Sequence, residues 1–441
     1  MNLQAFASDK LNQLSENSGS LKTLTGWAMV FWIAWMAILP LGHVTGLRNA
    51  LAFPAILLGI GLGVRQIGWR GLADTPALCA WLLLLAWCAL SATWSPAPDV
   101  TWSKFRSDLL LPFGAYLSAY CIARFTGSAS RLLIGPLIGS ALLTVLSVFA
   151  WVTVPGWVKT DVPFGTVAPM PFWYPGVGDA SAYSILLIGP LLAWWVASRK
   201  HAGTIAKWGP ALATLATLGI IVATNRRNAL IVPLLISPLF FVLLGRDGKP
   251  VSRNFVGLMC AGFLLAAVLV AGIFEFGARE RLMPAERIAL APNTSAALML
   301  MKGEPRPRIW AWYLDKAQQH PWIGVGFGRT VPAIFYETES NQALAAIDPL
   351  AVVHAHNLAL NWVLQTGLIG FAIFAALLVT IARCAWWARR HSREHRLLAC
   401  AVLMTMVAML LRNMTDDFLV YGIAIMFWAT IGALLGLLER R

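Results

Sequence analysis

The sequence predicts an all-α polytopic membrane protein, with about twelve spanning helices and a helical outer cap. Three observations carry that prediction. Hydrophobic residues make up 58% of the chain, charged residues only 12%, and mean hydropathy is +0.68. A soluble domain is about a quarter charged, so a water-surrounded core is excluded. Long apolar runs recur along the chain, and the basic residues fall mainly between them. That placement gives the net charge of +14 a topological meaning and excludes nucleic acid as the partner.

The elements follow in order. A span needs about 20 apolar residues. Runs of that kind lie near 24–42, 47–64, 76–93, 107–123, 132–153, 179–198, 208–224, 228–244, 254–275, 357–382, 397–412 and 417–438. Pro40, Pro54, Pro112, Pro190 and Pro233 are the expected kink points. Met1 to Leu21 is polar, and the first apolar run is too long for the core of a cleavable leader. All six cysteines lie in or at the ends of apolar runs without a CxxC pair, which predicts neither a disulfide nor a thiolate metal site. The chain divides into 1–275 (tail and spans one to nine), an outer loop 276–356, and 357–441 (the last three spans).

Orientation comes from the basic residues. With the N-terminus in the cytosol, the inner links hold most Lys and Arg. The short outer loops hold only Arg48, Lys104, Arg106, Lys159, Arg226, Arg227 and Arg412. Both termini are therefore expected in the cytosol and the 276–356 loop outside. That loop is too long to be structureless. Its Pro307–Gln319 stretch reads as an amphipathic interfacial helix ended by Pro321, and Val331–Ala346 as a second cap helix. EFGARERL reads as an outward extension of the ninth span, and the proline- and aromatic-rich 154–178 loop as a stiff rim.

Several polar groups at the outer ends of spans need a chemical reason. Arg226 and Arg227 occupy the short link TNRRNAL. They either snorkel to lipid phosphates or hold an anionic substrate, and helical neighbours diverge by about 100°, so one of them would point inward. Arg306 and Arg308 flank Pro307, and guanidinium groups match phosphate bidentately. GVGFGR resembles a dinucleotide fingerprint but has no strand–turn–helix context, so it reads as a tight turn closing the cap or as an anion nest.

His354-Ala355-His356-Asn357 opens the tenth span. An extended HxH pair can hold zinc, but no third His or Cys is near in sequence and no HExxH exists, so no metal is assigned. The pair either caps a helix or supplies a general base with a pKa of about 6.5. A helix containing both would set them about 200° apart, with one facing the cavity. RNMTDD adds two carboxylates, Asp416 and Asp417, beside Arg412, to balance its charge or to orient the histidine or the acceptor. Glu337-x-Glu339 is a weak substitute for a metal-holding DxD.

Three stretches in this order, TNRRNALI, RPRIWAWYLDKAQQHPWIGVGFGR and HAHNLALNWVLQTGLIG, resemble the bacterial O-antigen ligase/polymerase superfamily. The resemblance covers Thr224 to Gly370 by motif and the flanking spans in hydropathy. It implies a GT-C-like glycosyltransferase of the bacterial inner membrane, with its site facing the periplasm. Donor and acceptor would be an undecaprenyl-diphosphate-linked glycan and the lipid A–core. The reaction would invert the anomeric centre without metal or soluble cofactor. By motif match, His356 resembles the catalytic base, with His354 as the second candidate. Arg227 and Arg308 resemble the diphosphate-binding residues, with Arg226, Arg306, Arg412 and Asp416 as further candidates. An O-antigen polymerase and a protein O-oligosaccharyltransferase share these motifs. A lipid-linked glycan transporter is the rival of another class, though it favours inverted repeats that this chain lacks.

Overall fold

The computed structural model describes residues 3–126, 129–153, 177–198, 204–223, 227–245, 305–345 and 349–439, with isolated positions between. Every regular element among them is helical. The first nine helices are α1 (Leu3–Ile38), α2 (Thr45–Ala73), α3 (Leu78–Leu90), α4 (Pro98–Lys104), α5 (Leu111–Thr126), α6 (Ala129–Thr153), α7 (Val177–Ser198), α8 (Thr204–Ala223) and α9 (Arg227–Leu244). The cap contributes α10 (Arg306–Gln319), α11 (Val331–Phe335) and α12 (Glu337–Leu344). The last three are α13 (Leu358–Ala388), α14 (Arg393–Arg412) and α15 (Tyr421–Leu438). Among the described residues, eight helices are long and apolar enough to cross a membrane, and three shorter apolar helices accompany them. The expected span 254–275, its EFGARERL extension and nearly all of the 154–178 rim lie outside the described residues.

The bundle is centred on α5, with α15 on one side and α2 on another. Small residues let α15 approach closely: a Cβ on Gly432 would stand 2.1 Å from the Tyr116 carbonyl oxygen, and one on Gly436 2.2 Å from that of Tyr120. Packing of this kind suits helices that gain little from hydrophobic burial against lipid. Trp81, Tyr116 and Trp428 fill the centre, with the two tryptophan rings 4.5 Å apart. α14 packs on α7 and α9, and α13 on α3 and α14.

Helix ends gather at two poles. At one, Arg124 meets Glu439 at 3.2 Å, and Arg396 reaches the Leu244 carbonyl at 3.4 Å. At the other, the starts of α2, α7, α13 and α15 meet the end of α14. There Tyr183 donates to the Leu39 carbonyl (3.0 Å), and the Leu358 N–H donates to the Asn413 carbonyl (3.0 Å). The cap covers this second pole.

In the cap, Ile309, Tyr313 and Ala317 recur every fourth residue and bury one face of α10 against Leu344, Ala351, Ala355 and Leu364. The second cap helix is not continuous over Val331–Ala346. It breaks at Tyr336 (φ −106°, ψ 23°), whose ring lies edge-on to Trp312 and whose hydroxyl donates to the Lys316 carbonyl. Packing of that one side chain outweighs helix continuity. The GVGFGR turn closes the cap onto α13 where that helix is broken at Gly367 (φ 66°, ψ −175°). Val325 and Gly326 donate to the Leu364 and Gln365 carbonyls, both at 2.9 Å. A Cβ on Gly324 would meet the Gln365 carbonyl carbon at 2.5 Å, so glycine is required.

Candidate active site

The HAHN run lies in the segment leading from the 3₁₀ turn Pro349–Val352 into α13, which begins only at Leu358. Both histidines therefore precede the helix, and the expected divergence of 200° does not arise. Ala355 is fully buried in the cap cluster, while the two imidazoles lie together with centroids 4.1 Å apart. Each histidine is 6% exposed. His356 adopts a left-handed backbone (φ 50°), uncommon for a residue with a Cβ. Hydrogen bonds on both sides hold it there. Its N–H donates to His354 Nδ1 (3.1 Å), the Ala355 N–H to Asn361 Oδ1 (3.0 Å), and the Leu360 N–H to the capping Asn357 side chain (3.0 Å).

The α14–α15 link is fastened to this segment. Asn357 donates to the Met414 carbonyl (2.9 Å), and Asn361 donates to Asp417 Oδ2 (2.7 Å). That register brings Asp416 Oδ1 to 3.3 Å from His356 Nδ1. Burial opposes the Asp416 charge. The hydrogen bond from His356 and the field of Arg412 nevertheless hold its pKa well below the usual carboxylate range. Asp417 differs: burial dominates and raises its pKa, although Arg329 and the Asn361 amide favour the anion. If Nδ1 of His356 donates to Asp416, Nε2 is the basic nitrogen.

Cations surround the pair. Arg412, only 4% exposed, ends α14 and lies over the Phe418 ring at 4.0 Å. Arg329 closes the GVGFGR turn with its Nη2 against His354 Nε2. Two N–H donors thus converge on His354, whose neutral ring has one acceptor nitrogen. Burial, then Arg329 and His356, depress its pKa far below the ordinary value, with Arg306 adding to the effect. Lys104 packs against the same turn and meets the Tyr421 hydroxyl, and the Tyr421 N–H donates to Asp108 Oδ1 (3.2 Å). Asp108 lies in a π-helical turn, Phe105–Leu110, a bulge frequent at functional sites.

Among the sequence-derived candidates, His354, His356 and Asp416 come together, with Arg306 and Arg412 in electrostatic range. Arg308 is exposed on α10, two residues and about 200° from Arg306, so the two arginines face opposite ways. Arg227 begins α9, but its side chain, like all of Arg226, lies outside the described residues. Arg329, Asn361, Lys104 and Asp108 were not singled out from sequence. Only Arg329 had a signal, as the polar end of a turn already assigned to docking.

The ligand atoms of His354, His356 and Asp416 lie within 4.8 Å of one another, the spacing of a metal site. The charge setting disfavours one: Arg329 abuts His354, and Arg412 faces Asp416.

Residues 212–375 match the family model for O-antigen ligase. An O-antigen ligase of Pseudomonas aeruginosa (strain PAO1) is 24% identical over 397 residues, covering 87% of this chain and 84% of that protein. The stretch similar to the O-antigen ligase model contains both histidines, Arg306, Arg329 and the helix break at Gly367. Arg412, Asp416 and Lys104 reach the same pole from outside it.

Proposed function

We propose that this membrane protein is the ligase that transfers a glycan from undecaprenyl diphosphate to a sugar hydroxyl of the lipid A–core, on the periplasmic face of the bacterial inner membrane. The observation that supports it most is the His356–Asp416 contact amid buried or half-buried arginines at one pole of the bundle. The acceptor hydroxyl has a high pKa and needs a base as it attacks the anomeric carbon. His356 Nε2 takes that proton, and Asp416 holds the ring and offsets the positive charge it acquires. As the new bond from acceptor oxygen to anomeric carbon forms, the bond from that carbon to the diphosphate oxygen breaks. Undecaprenyl diphosphate leaves, and a single displacement inverts the centre.

A diphosphate leaves readily once its charge is held, so arginines supply the main electrostatic term and no metal is needed. Arg306, Arg329 and Arg412 lie around the dyad, and Arg227, marked by the family resemblance, completes the clamp, while Arg308 faces away from it. Purified protein in detergent, given a lipid-linked glycan donor and separate lipid A–core, peptide and O-unit acceptors, tests the reading. Product on lipid A–core, unaffected by EDTA, is expected. Product only on the O-unit would make the protein a polymerase, and a requirement for sealed vesicles would favour transport.

A further inference from the structure

The break in α13 lies at a depth where an open helix is costly. Below Gly367 the helix shows a continuous outward stripe, Ile369, Ala372, Ala376 and Val379, at the three- and four-residue spacing of one helical face. The stripe reaches Arg383, the first charged residue of α13, followed by Trp386 and Trp387 with Arg389 and Arg390 over their rings at 3.3 and 4.8 Å. Tryptophan and arginine in this arrangement mark a membrane–water boundary. Leu368 to Arg383 is about 15 residues, or ~22 Å of rise, against a hydrocarbon core of about 30 Å. With Arg383 at one edge, the break falls inside the other.

In hydrocarbon, backbone groups released by a helix break have no water to bond. Here the cap and α3 satisfy them. The Leu364 and Gln365 carbonyls accept from Val325 and Gly326, and the Thr366 carbonyl accepts from Trp87 Nε1 at 3.0 Å. Below the break, the Leu368 and Ile369 N–H groups donate to the Pro321 and Trp322 carbonyls at 2.7 and 3.2 Å. A Cβ on Gly367 would stand 2.1 Å from the Trp322 carbonyl, so the two backbones are in direct contact. The cap side chains at this junction are apolar and point outward: Trp322 is 64% exposed and Ile323 40%, beside Leu368 at 45%.

We propose that the cap segment Pro321–Gly326 is a re-entrant wedge immersed in the bilayer, with Trp322 and Ile323 in contact with lipid acyl chains. The occupant is lipid because the exposed surface continues without a polar break from the stripe of a spanning helix. With Trp87 of α3, the wedge supplies the missing hydrogen bonds of α13, and it fixes the height of the cap, and hence of the histidine pair, relative to the membrane. This inference stands apart from the reaction proposed above.

The photo-crosslinking residue p-benzoylphenylalanine, placed in the full chain at Trp322, Ile323, Ala376 or Asn341, tests it in phosphatidylethanolamine–phosphatidylglycerol vesicles. Ala376 is the lipid-facing reference and Asn341 an exposed cap position. The expected result is phospholipid adducts at 322 and 323 with yields close to that at 376 and severalfold above that at 341. Yields at both 322 and 323 no greater than at 341 overturn the proposal. So does capture of a second copy of the chain in place of lipid.

Discussion

His354 can be tested through the acid side of the protein's stability. Burial and the guanidinium of Arg329 hold its ring neutral in the folded protein, whereas in the unfolded chain it titrates at about 6.5. Below that pH the unfolded state binds a proton that the folded state refuses, so stability falls as pH falls. The cost follows the unfolded titration. It is about 1.4 kcal/mol at pH 5.5 and ~2.7 kcal/mol at pH 4.5, each relative to pH above 7. His354→Gln keeps a side chain that can accept from the His356 N–H but cannot ionise, so its acid limb should be flatter by those amounts. Equilibrium unfolding of wild type and variant in a denaturing detergent between pH 7.5 and 5.0 measures the difference. Equal losses in the two proteins would mean that His354 charges in the folded state, and the division of roles between the histidines would be wrong.

Four further outcomes are expected. Asp416→Asn should reduce transfer by about 10- to 100-fold, from loss of a charge-assisted hydrogen bond of about 1.5–3 kcal/mol. Asp417→Asn should leave stability in the detergent unfolding assay unchanged or raised, because a buried carboxylate with a raised pKa is replaced by a neutral isostere. Arg227→Ala and Arg306→Ala should abolish transfer in the purified system with membrane insertion intact, and Arg227→Lys should restore only part, lacking a planar two-point contact. Gly367→Ala should destabilise the protein by several kcal/mol, adding about 1 kcal/mol of left-handed backbone cost to the displaced hydrogen bonds of the wedge, seen as an earlier unfolding midpoint.

The helices found at the expected spans among the described residues were legible because each is a long apolar run, a signal that needs no tertiary information. The boundaries moved where tertiary contacts intervene. The span expected at 107–123 belongs to a longer helical stretch, Pro98–Thr126, that admits a π turn, and the one expected at 357–382 breaks at Gly367 because the cap hydrogen-bonds into it. At the site, His356 and Asp416 were both candidates, since a histidine beside Asn and a carboxylate at a span end are unusual in an apolar chain. Their contact was not legible, because it depends on how Asn357 and Asn361 fasten two segments nearly sixty residues apart in sequence. Arg329 was hidden by its context. A glycine-rich run reads as a turn, and nothing local says that its last residue will face an imidazole from the next element.

The two histidines show why residue type alone could not assign the base. They are the same side chain, two positions apart, equally buried, and their rings touch. What separates them is the partner. Arg329 and a backbone N–H meet His354, so a proton added there would set N–H groups on both ring nitrogens against both donors. Asp416 meets His356, so a proton taken up there creates a cation beside a carboxylate. The ring that faces a carboxylate can accept a proton, and the ring that faces a guanidinium acts as scaffold. On that logic His354→Gln should retain measurable transfer while His356→Ala loses about two to four orders of magnitude in rate. If the two variants lose activity equally, His354 is taking part in the chemistry, and Arg329 would then be holding substrate charge rather than keeping a ring neutral.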